Sequence, residues 1–183
     1  MNERIVVGLD IGTTKVCAIV ASADENGKVN ILGVGKAPSD GLNRGVVVNI
    51  EKTVNAIRKA VEQAELASGI KVHAVNVGIA GDHIRSMRSK GVITINNKDQ
   101  EITPHDVERL LEDCQRIMLP TDQSIIHVIP QEFIVDGQDG ITDPVGMSGM
   151  RMEAEVHVIT GLVSAAKNIY RCVERAGYQV ADV

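Results

Sequence analysis

Residues of the types that hold phosphate stand together near the start of the chain: Asp10, Gly12, Thr13, Thr14 and Lys15. Gly12 has no Cβ, so the backbone there can come close to an anion, and N–H groups around such a turn can point inward as a nest. Thr13 and Thr14 add hydroxyl donors. Lys15 supplies a point charge, and Asp10 can accept from the water shell of a magnesium ion beside a nucleotide. The set fits a triphosphate. An ordinary hairpin, with Gly12 at its turn and Asp10 and Lys15 merely solvated, uses the same residues. Strand patterns on both sides favour the phosphate reading, because a short motif gains weight from its structural context.

The flanking elements follow from periodicity. Residues 5–9 are a short apolar run, as in a strand buried in a sheet, and 16–23 resumes the strand pattern at once. Glu25-Asn26-Gly27-Lys28 is a turn signal before a third strand at 29–35, giving three consecutive antiparallel strands. A polar connection at 38–45 leads to Val46-Val47-Val48. Asn49 then caps a helix in which Ile50, Val54, Ile57, Val61 and Ala64 recur at helical spacing until Ser68-Gly69. The apolar stretch 70–79 is expected as a strand parallel to its partner, since it follows a helical crossover. Other phosphate loops fit less well. There is no G-x-x-x-x-G-K-[ST] string, and Gly33-Val34-Gly35 lacks the third glycine of a dinucleotide fingerprint.

After Gly81 the character changes. Residues 84–89 and 92–95 flank Lys90-Gly91 and predict a tight hairpin. Thr103-Pro104-His105-Asp106 is a helix start, with Val107, Leu110, Leu111, Cys114, Ile117 and Met118 as its apolar stripe. Residues 124–135 read as one or two strands, and Pro130 suits an edge or a bulge. The Gly- and Asp-rich connection at 137–149 can be mobile or can grip a partner. Residues 151–160 alternate as a strand that Gly161 ends, 163–175 read as a helix stopped by Gly177, and 178–183 begin another strand. Glu153, Glu155 and His157 project from one strand face; a solvated or partner-facing surface suits them better than a metal site, which needs converging geometry.

Composition excludes other classes. The 183 residues are 44% hydrophobic with a net charge of −5, enough for one sizeable domain or two small ones. No basic run or aromatic-interleaved patch stands out, which argues against nucleic acid as a partner. Cys17, Cys114 and Cys172 form no close pair, so buried thiols in a reducing cytoplasm are expected. Met1-Asn2-Glu3-Arg4 lacks the basic and apolar regions of a secretory signal, and no apolar run approaches the ~20 residues that span a bilayer. No nucleophile elbow, zinc spacing or catalytic triad is present, so no catalytic residue is assigned.

Asp10-Ile11-Gly12-Thr13-Thr14-Lys15 resembles the first phosphate motif of the superfamily that unites actin, heat-shock ATPases and sugar kinases. Gly41-Leu42-Asn43-Arg44-Gly45-Val46-Val47, Val77-Gly78-Ile79-Ala80-Gly81-Asp82-His83-Ile84 and Asp143-Pro144-Val145-Gly146-Met147-Ser148-Gly149 extend the resemblance, as does Glu153-Ala154-Glu155-Val156-His157. Over essentially its whole length the chain is similar to the FtsA family of bacterial division proteins. The resemblance implies an α/β fold: an actin-like, ribonuclease H-like half-domain with a mixed sheet, at 1–81 and 161–183, plus an inserted small α+β subdomain of the SHS2 type at 82–160. It implies an ATP-binding scaffold with Mg2+ rather than an enzyme, with Asp10, Gly12, Thr13, Thr14 and Lys15 as phosphate and magnesium contacts. Implied partners are FtsZ, further copies of the protein and, through the insertion, other division proteins. The implied place is the cytoplasmic face of the inner membrane at the septum, reached through a carboxyl-terminal helix that this sequence does not contain. A second phosphate loop and the adenosine pocket are likewise absent, so the sequence reads as an amino-terminal part. An FtsA-like pilus assembly protein and a sugar or acyl kinase of the same superfamily are the alternatives.

Overall fold

The computed structural model describes residues 4–25 and 27–183. In chain order the elements are β1 (Arg4–Ile11), β2 (Lys15–Ala23), β3 (Val29–Pro38), β4 (Leu42–Asn43), β5 (Val46–Val47), α1 (Ile50–Ser68), β6 (Ala74–Gly78) and β7 (Arg85–Thr94). There follow α2 (Pro104–Cys114), β8 (Gln123–Val135), β9 (Gln138–Ile141), β10 (Arg151–Leu162), α3 (Val163–Ala176) and β11 (Gln179–Asp182). They form two compact units: one runs up to His83 and resumes at Val163–Val183, the other is Ile84–Leu162.

The first unit is built on a mixed five-stranded sheet in the order β11-β6-β1-β2-β3. β1, β2 and β3 are antiparallel neighbours, whereas β6 lies parallel to β1 and β11 parallel to β6. Side chains alternate across a strand. Val7, Leu9 and Ile11 of β1 and Val16, Ala18 and Val20 of β2 are therefore buried together, in one core with Ile57, Val61 and Ala64 of α1 and Ile169, Cys172 and Val173 of α3. On β3 that face carries Gly33, Gly35 and Ala37, set opposite Val20, Ala18 and Val16. A Cβ on Gly35 would stand 1.9 Å from the carbonyl oxygen of Ala60, and one on Gly33 would stand 2.5 Å from that of Ala64. Helix α1 lies directly on the β3 backbone.

The helix begins and ends as its sequence dictates. The Asn49 side chain accepts from the N–H of Lys52 at 3.0 Å, and Gly69 closes the last turn in the left-handed region at φ 70°. Arg58 of α1 donates to the carbonyl oxygens of Arg175 (2.6 Å) and Ala176 (3.3 Å), supplying partners and positive charge to the carboxyl end of α3. Arg175 in turn pairs with Glu51. The turn expected at Glu25-Asn26-Gly27-Lys28 includes Asn26, which lies outside the described residues, as do Met1-Asn2-Glu3 at the amino terminus.

The second unit is a four-stranded antiparallel sheet, order β7-β10-β8-β9, with α2 on one face. Met152, Ala154, Val156 and Val158 of β10 form its core with Leu110, Cys114, Phe133 and Val135. Several expectations are corrected here. β7 is one continuous strand, paired with β10 from Arg85 to Thr94, and no hairpin forms at Lys90-Gly91. Gly91 serves close packing instead, since a Cβ there would stand 2.6 Å from the Cys114 sulfur of α2. Helix α2 stops at Cys114 rather than running on to Met118, which is fully exposed. Residues 137–149 are not wholly irregular: after a turn with positive φ at Asp136 and Gly137, β9 pairs back onto the end of β8. Gly161 does not end β10, which continues through Leu162 straight into α3. Pro130 sits at a bulge, where the pairing with β10 steps from Glu132 to Pro130 and passes over Gln131.

The capping box of α2 is complete. Thr103 Oγ1 accepts from the Asp106 N–H at 3.3 Å, and the Asp106 carboxylate accepts from the Thr103 N–H at 3.0 Å and its hydroxyl at 2.6 Å. The Thr103 hydroxyl hydrogen bond holds the Asp106 carboxyl below its ordinary value, aided by the Thr103 N–H and by Arg109. Burial pushes two thiols the other way: Cys114 of this unit upward, and Cys172 of the first unit up to about 11.

Two outcomes are expected. Gly35→Ala forces the β3 and α1 backbones apart and lowers stability by about 1–3 kcal/mol in urea unfolding, whereas Gly8→Ala, whose Cβ meets nothing within 4 Å, stays within about 0.5 kcal/mol. Equal midpoints would refute the close approach. Because the folded value of Asp106 is depressed, its contribution is complete above the unfolded carboxylate range, about pH 4, and is lost as pH falls through the folded value. The stability gap between the wild type and Asp106→Asn therefore narrows on acidification below about pH 4, and a gap constant with pH would exclude a charged cap.

Candidate functional site

β1 delivers Asp10, and β2 begins at Lys15, so the phosphate-type residues sit at and beside one tight turn. Leu9 is buried on the helix face, which by alternation puts Asp10 on the opposite, open face. The turn is closed by the Gly12 N–H, which donates to the Lys15 carbonyl at 3.0 Å. That bond corrects one expectation, because it withdraws the Gly12 N–H from any inward-pointing nest. Among the described residues the N–H groups and hydroxyls of Thr13 and Thr14 have no partner, and Thr13, Thr14 and Lys15 are all exposed. The Thr14 carbonyl accepts from the Ser39 N–H at 3.0 Å, which ties the turn to the end of β3.

Asp10 pairs laterally with Gly78 of the parallel strand β6 and with Cys17 of β2, which pairs with Lys36 of β3. A row Gly78, Asp10, Cys17, Lys36 thus crosses the open face. With neighbouring strands ~4.8 Å apart, the Lys36 backbone lies on the order of 10 Å from that of Asp10. Gly78 leaves room for the carboxylate, since a Cβ there would be 3.8 Å from Asp10 Oδ1. The row borders a shallow open hollow of about 570 Å³ whose lining includes Lys15, Asn76 and Ile19. Asn76 is fixed by donation from its amide to the Val7 carbonyl at 3.2 Å.

This hollow lies at the carboxyl ends of β1 and β6, two parallel neighbours, and in open α/β sheets ligands bind in the crevice outside such ends. Beyond β6 the chain passes through Ile79-Ala80-Gly81. There Gly45, at φ 80° in the β4–β5 turn, comes so close that a Cβ would stand 1.9 Å from the Ala80 carbonyl oxygen. The two turns brace each other. Lys36, Asn76 and Ser39 escaped the sequence reading. The alternation of β3, with Val34 and Lys36 on the face away from Gly35, was the signal available for Lys36.

Glu153, Glu155 and His157 lie in the second unit and have partners there. Glu153 is buried and held by Lys90 at 2.8 Å and Arg151 at 3.1 Å, and these contacts keep its carboxyl below the usual range. His157 Nδ1 lies 3.1 Å from Ser86 Oγ. Glu155 reaches Lys90 only at 4.0 Å. Among the described residues no group of three or more His, Cys, Asp or Glu side chains converges as a metal site. Cys114 and Cys172 are buried thiols, but Cys17 is half-buried on the open face rather than in the core.

Residues 81–160 match the family described as the SHS2 domain inserted in FtsA. The chain is 46% identical over 182 residues to the cell division protein FtsA of Pseudomonas aeruginosa, covering 100% of this chain and 43% of that protein. It is 42% identical over 182 residues to FtsA of Bacillus subtilis (100% and 41%) and 40% identical over 179 residues to FtsA of Escherichia coli K12 (98% and 42%). The chain therefore spans less than half the length of these relatives. Among solved structures it is similar to the PilM-PilN type IV pilus biogenesis complex, with a TM-score of 0.64 over 97% of this chain and 46% of that one. At 14% identity that likeness concerns the fold, which is actin-like with a mixed sheet. The chain belongs to the FtsA family of cell division proteins and corresponds to their amino-terminal part with its inserted SHS2 domain.

Proposed function

We propose that this chain supplies half of an ATP-binding cleft in an actin-like scaffold of bacterial cell division. The observation that carries the reading is the turn from Asp10 to Lys15, placed at the carboxyl ends of parallel strands with the donors of Thr13 and Thr14 unpartnered. In this reading Thr13 and Thr14 donate to phosphate oxygens, Lys15 neutralises their charge, Gly12 lets the turn approach, and Asp10 orders water around Mg2+. ATP acts as a switch by contacting this half and the other half together, which favours a closed, assembling state. The full protein then links FtsZ filaments to the cytoplasmic face of the membrane at the septum and associates with further copies of itself. Family membership supports the division role. Among the described residues no helix is long and apolar enough to cross a membrane.

A phosphotransferase reading requires a carboxylate base within hydrogen-bond reach of an acceptor hydroxyl. Among the described residues Asp10 is the one acid lining the hollow, and it is already assigned to the magnesium shell. The non-enzymatic scaffold is therefore preferred.

In the full-length protein, Lys15→Ala is expected to weaken ATP binding about tenfold or more, the loss of one charge-assisted phosphate contact. ATP-dependent assembly, followed by sedimentation, falls with it. Unchanged affinity in calorimetry would remove the phosphate role of the turn. ATP turnover that rises with added sugar would instead make the protein a kinase.

A further inference from the structure

β7 is an edge strand, paired with β10 on one side only. Its hydrogen-bonding parity can be fixed from neighbouring contacts. The Ile95 N–H donates to the Met150 carbonyl at 2.9 Å, while the Arg151 carbonyl accepts from Asp136 N–H on the β8 side at 3.0 Å. In an antiparallel ladder hydrogen-bonded and non-bonded pairs alternate. Arg151 and its partner Thr94 are thus a non-bonded pair, and the N–H and C=O groups of Ser86, Arg88, Lys90 and Val92 face away from β10. Arg109 of α2 occupies the end of this edge, donating to the Thr94 carbonyl at 2.8 Å. The other outward carbonyls and N–H groups have no partner among the described residues.

The side chains of the same residues stand on the sheet face opposite α2. There Arg88, Lys90, Gln131, Glu155 and His157 line a hollow of about 440 Å³, opened where the β8 bulge lifts Gln131 out of register. The strand is basic: Arg85, Arg88 and Lys90, with no acid from 85 to 94. Lys90 is neutralised by Glu153. Among the described residues no ion pair engages Arg85 or Arg88, and both are exposed. Exposed Met87 (44%) and Val92 (43%) add apolar surface on the same strand.

We infer that β7 is a docking edge for an extended acidic segment of a partner protein, which adds as a further strand and sets carboxylates against Arg88, while Arg85, on the opposite face of the strand, adds positive charge at the same edge. Main-chain pairing supplies the attraction common to all such segments, and side-chain pockets at alternate positions supply the choice among them. Charge on an edge strand also deters unwanted pairing. Here the charge has one sign, so it repels basic strands and a second β7 while attracting acidic ones. The inference rests on the second unit alone and is independent of ATP binding.

The test uses the full chain and a panel of labelled decamers with Val at every second position and Glu, Gln or Lys between. Fluorescence anisotropy is expected to show the Glu decamer binding at least tenfold more tightly than the Lys decamer, with affinity falling as salt rises. Hydrogen exchange should slow at Ser86, Arg88, Lys90 and Val92. The Arg85→Glu, Arg88→Glu double variant should lose at least tenfold for the Glu decamer. Arg85→Gln with Arg88→Gln, a milder pair, should lose less while keeping the circular dichroism of the wild type. Equal binding of Glu and Lys decamers, protection confined to other strands, or dimerisation of the chain through β7 would each overturn the proposal.

Discussion

The seating of α1 on the bare backbone of β3 fixes how the first unit is used. Gly33 and Gly35 let the helix come within contact of the sheet, and the helix thereby selects one face of β1, β2 and β3 as core. With a side-chain period of two, that selection determines every other position. Leu9 goes inward and Asp10 outward; Val16 goes inward and Lys15 and Cys17 outward. A one-residue slip in β1 would bury the carboxylate and expose Leu9. The cost of burying an unpaired charge, several kcal/mol in effective terms, makes that register inaccessible. The chemistry of the open face is thus protected by the packing of the closed one.

Much of this architecture is legible in the sequence where a local signal has a local cause. α1 is bounded by a capping asparagine and a left-handed glycine, and α2 starts at a capping box with proline in its first turn. β10 shows its alternation openly. Two of the failures have a common origin, which is that a glycine can serve a turn or a close contact and sequence does not distinguish them. Gly91 reads as a hairpin turn but accommodates Cys114, and Gly161 reads as a terminator but continues β10 with a Cβ position 2.7 Å from Ile126. The contact that explains each glycine comes from far along the chain: from Cys114 at the end of α2 for Gly91, and from Ile126 on β8 for Gly161.

The candidate site divides in the same way. The residue types at Asp10 to Lys15 and the turn between two strands are local and legible. Which N–H groups remain free is a matter of geometry: Gly12 spends its own on the turn, and Thr13 and Thr14 keep theirs. Lys36 and Asn76 reach the hollow only through lateral pairing, at positions 26 and 66 residues beyond Asp10 in the chain. Strand register between distant segments has no signature in a single segment, so their presence beside Asp10 could not be read beforehand.

The two units solve the problem of a free sheet surface differently. In the first, the open face is a shallow hollow with small residues at its floor, Gly8 and Gly78, and charge at its margin, Asp10, Lys15 and Lys36. In the second, the exposed feature is an edge, where unpaired backbone groups attract any extended chain without discrimination. Each added main-chain hydrogen bond contributes only about 0.5–1.5 kcal/mol net, so an edge of this length gains its selectivity from side chains. Arg85 and Arg88 stand where they influence that choice, while Lys90, tied to Glu153, stays with the fold. Separating structural from available cations on one strand is what converts a protected edge into a discriminating one.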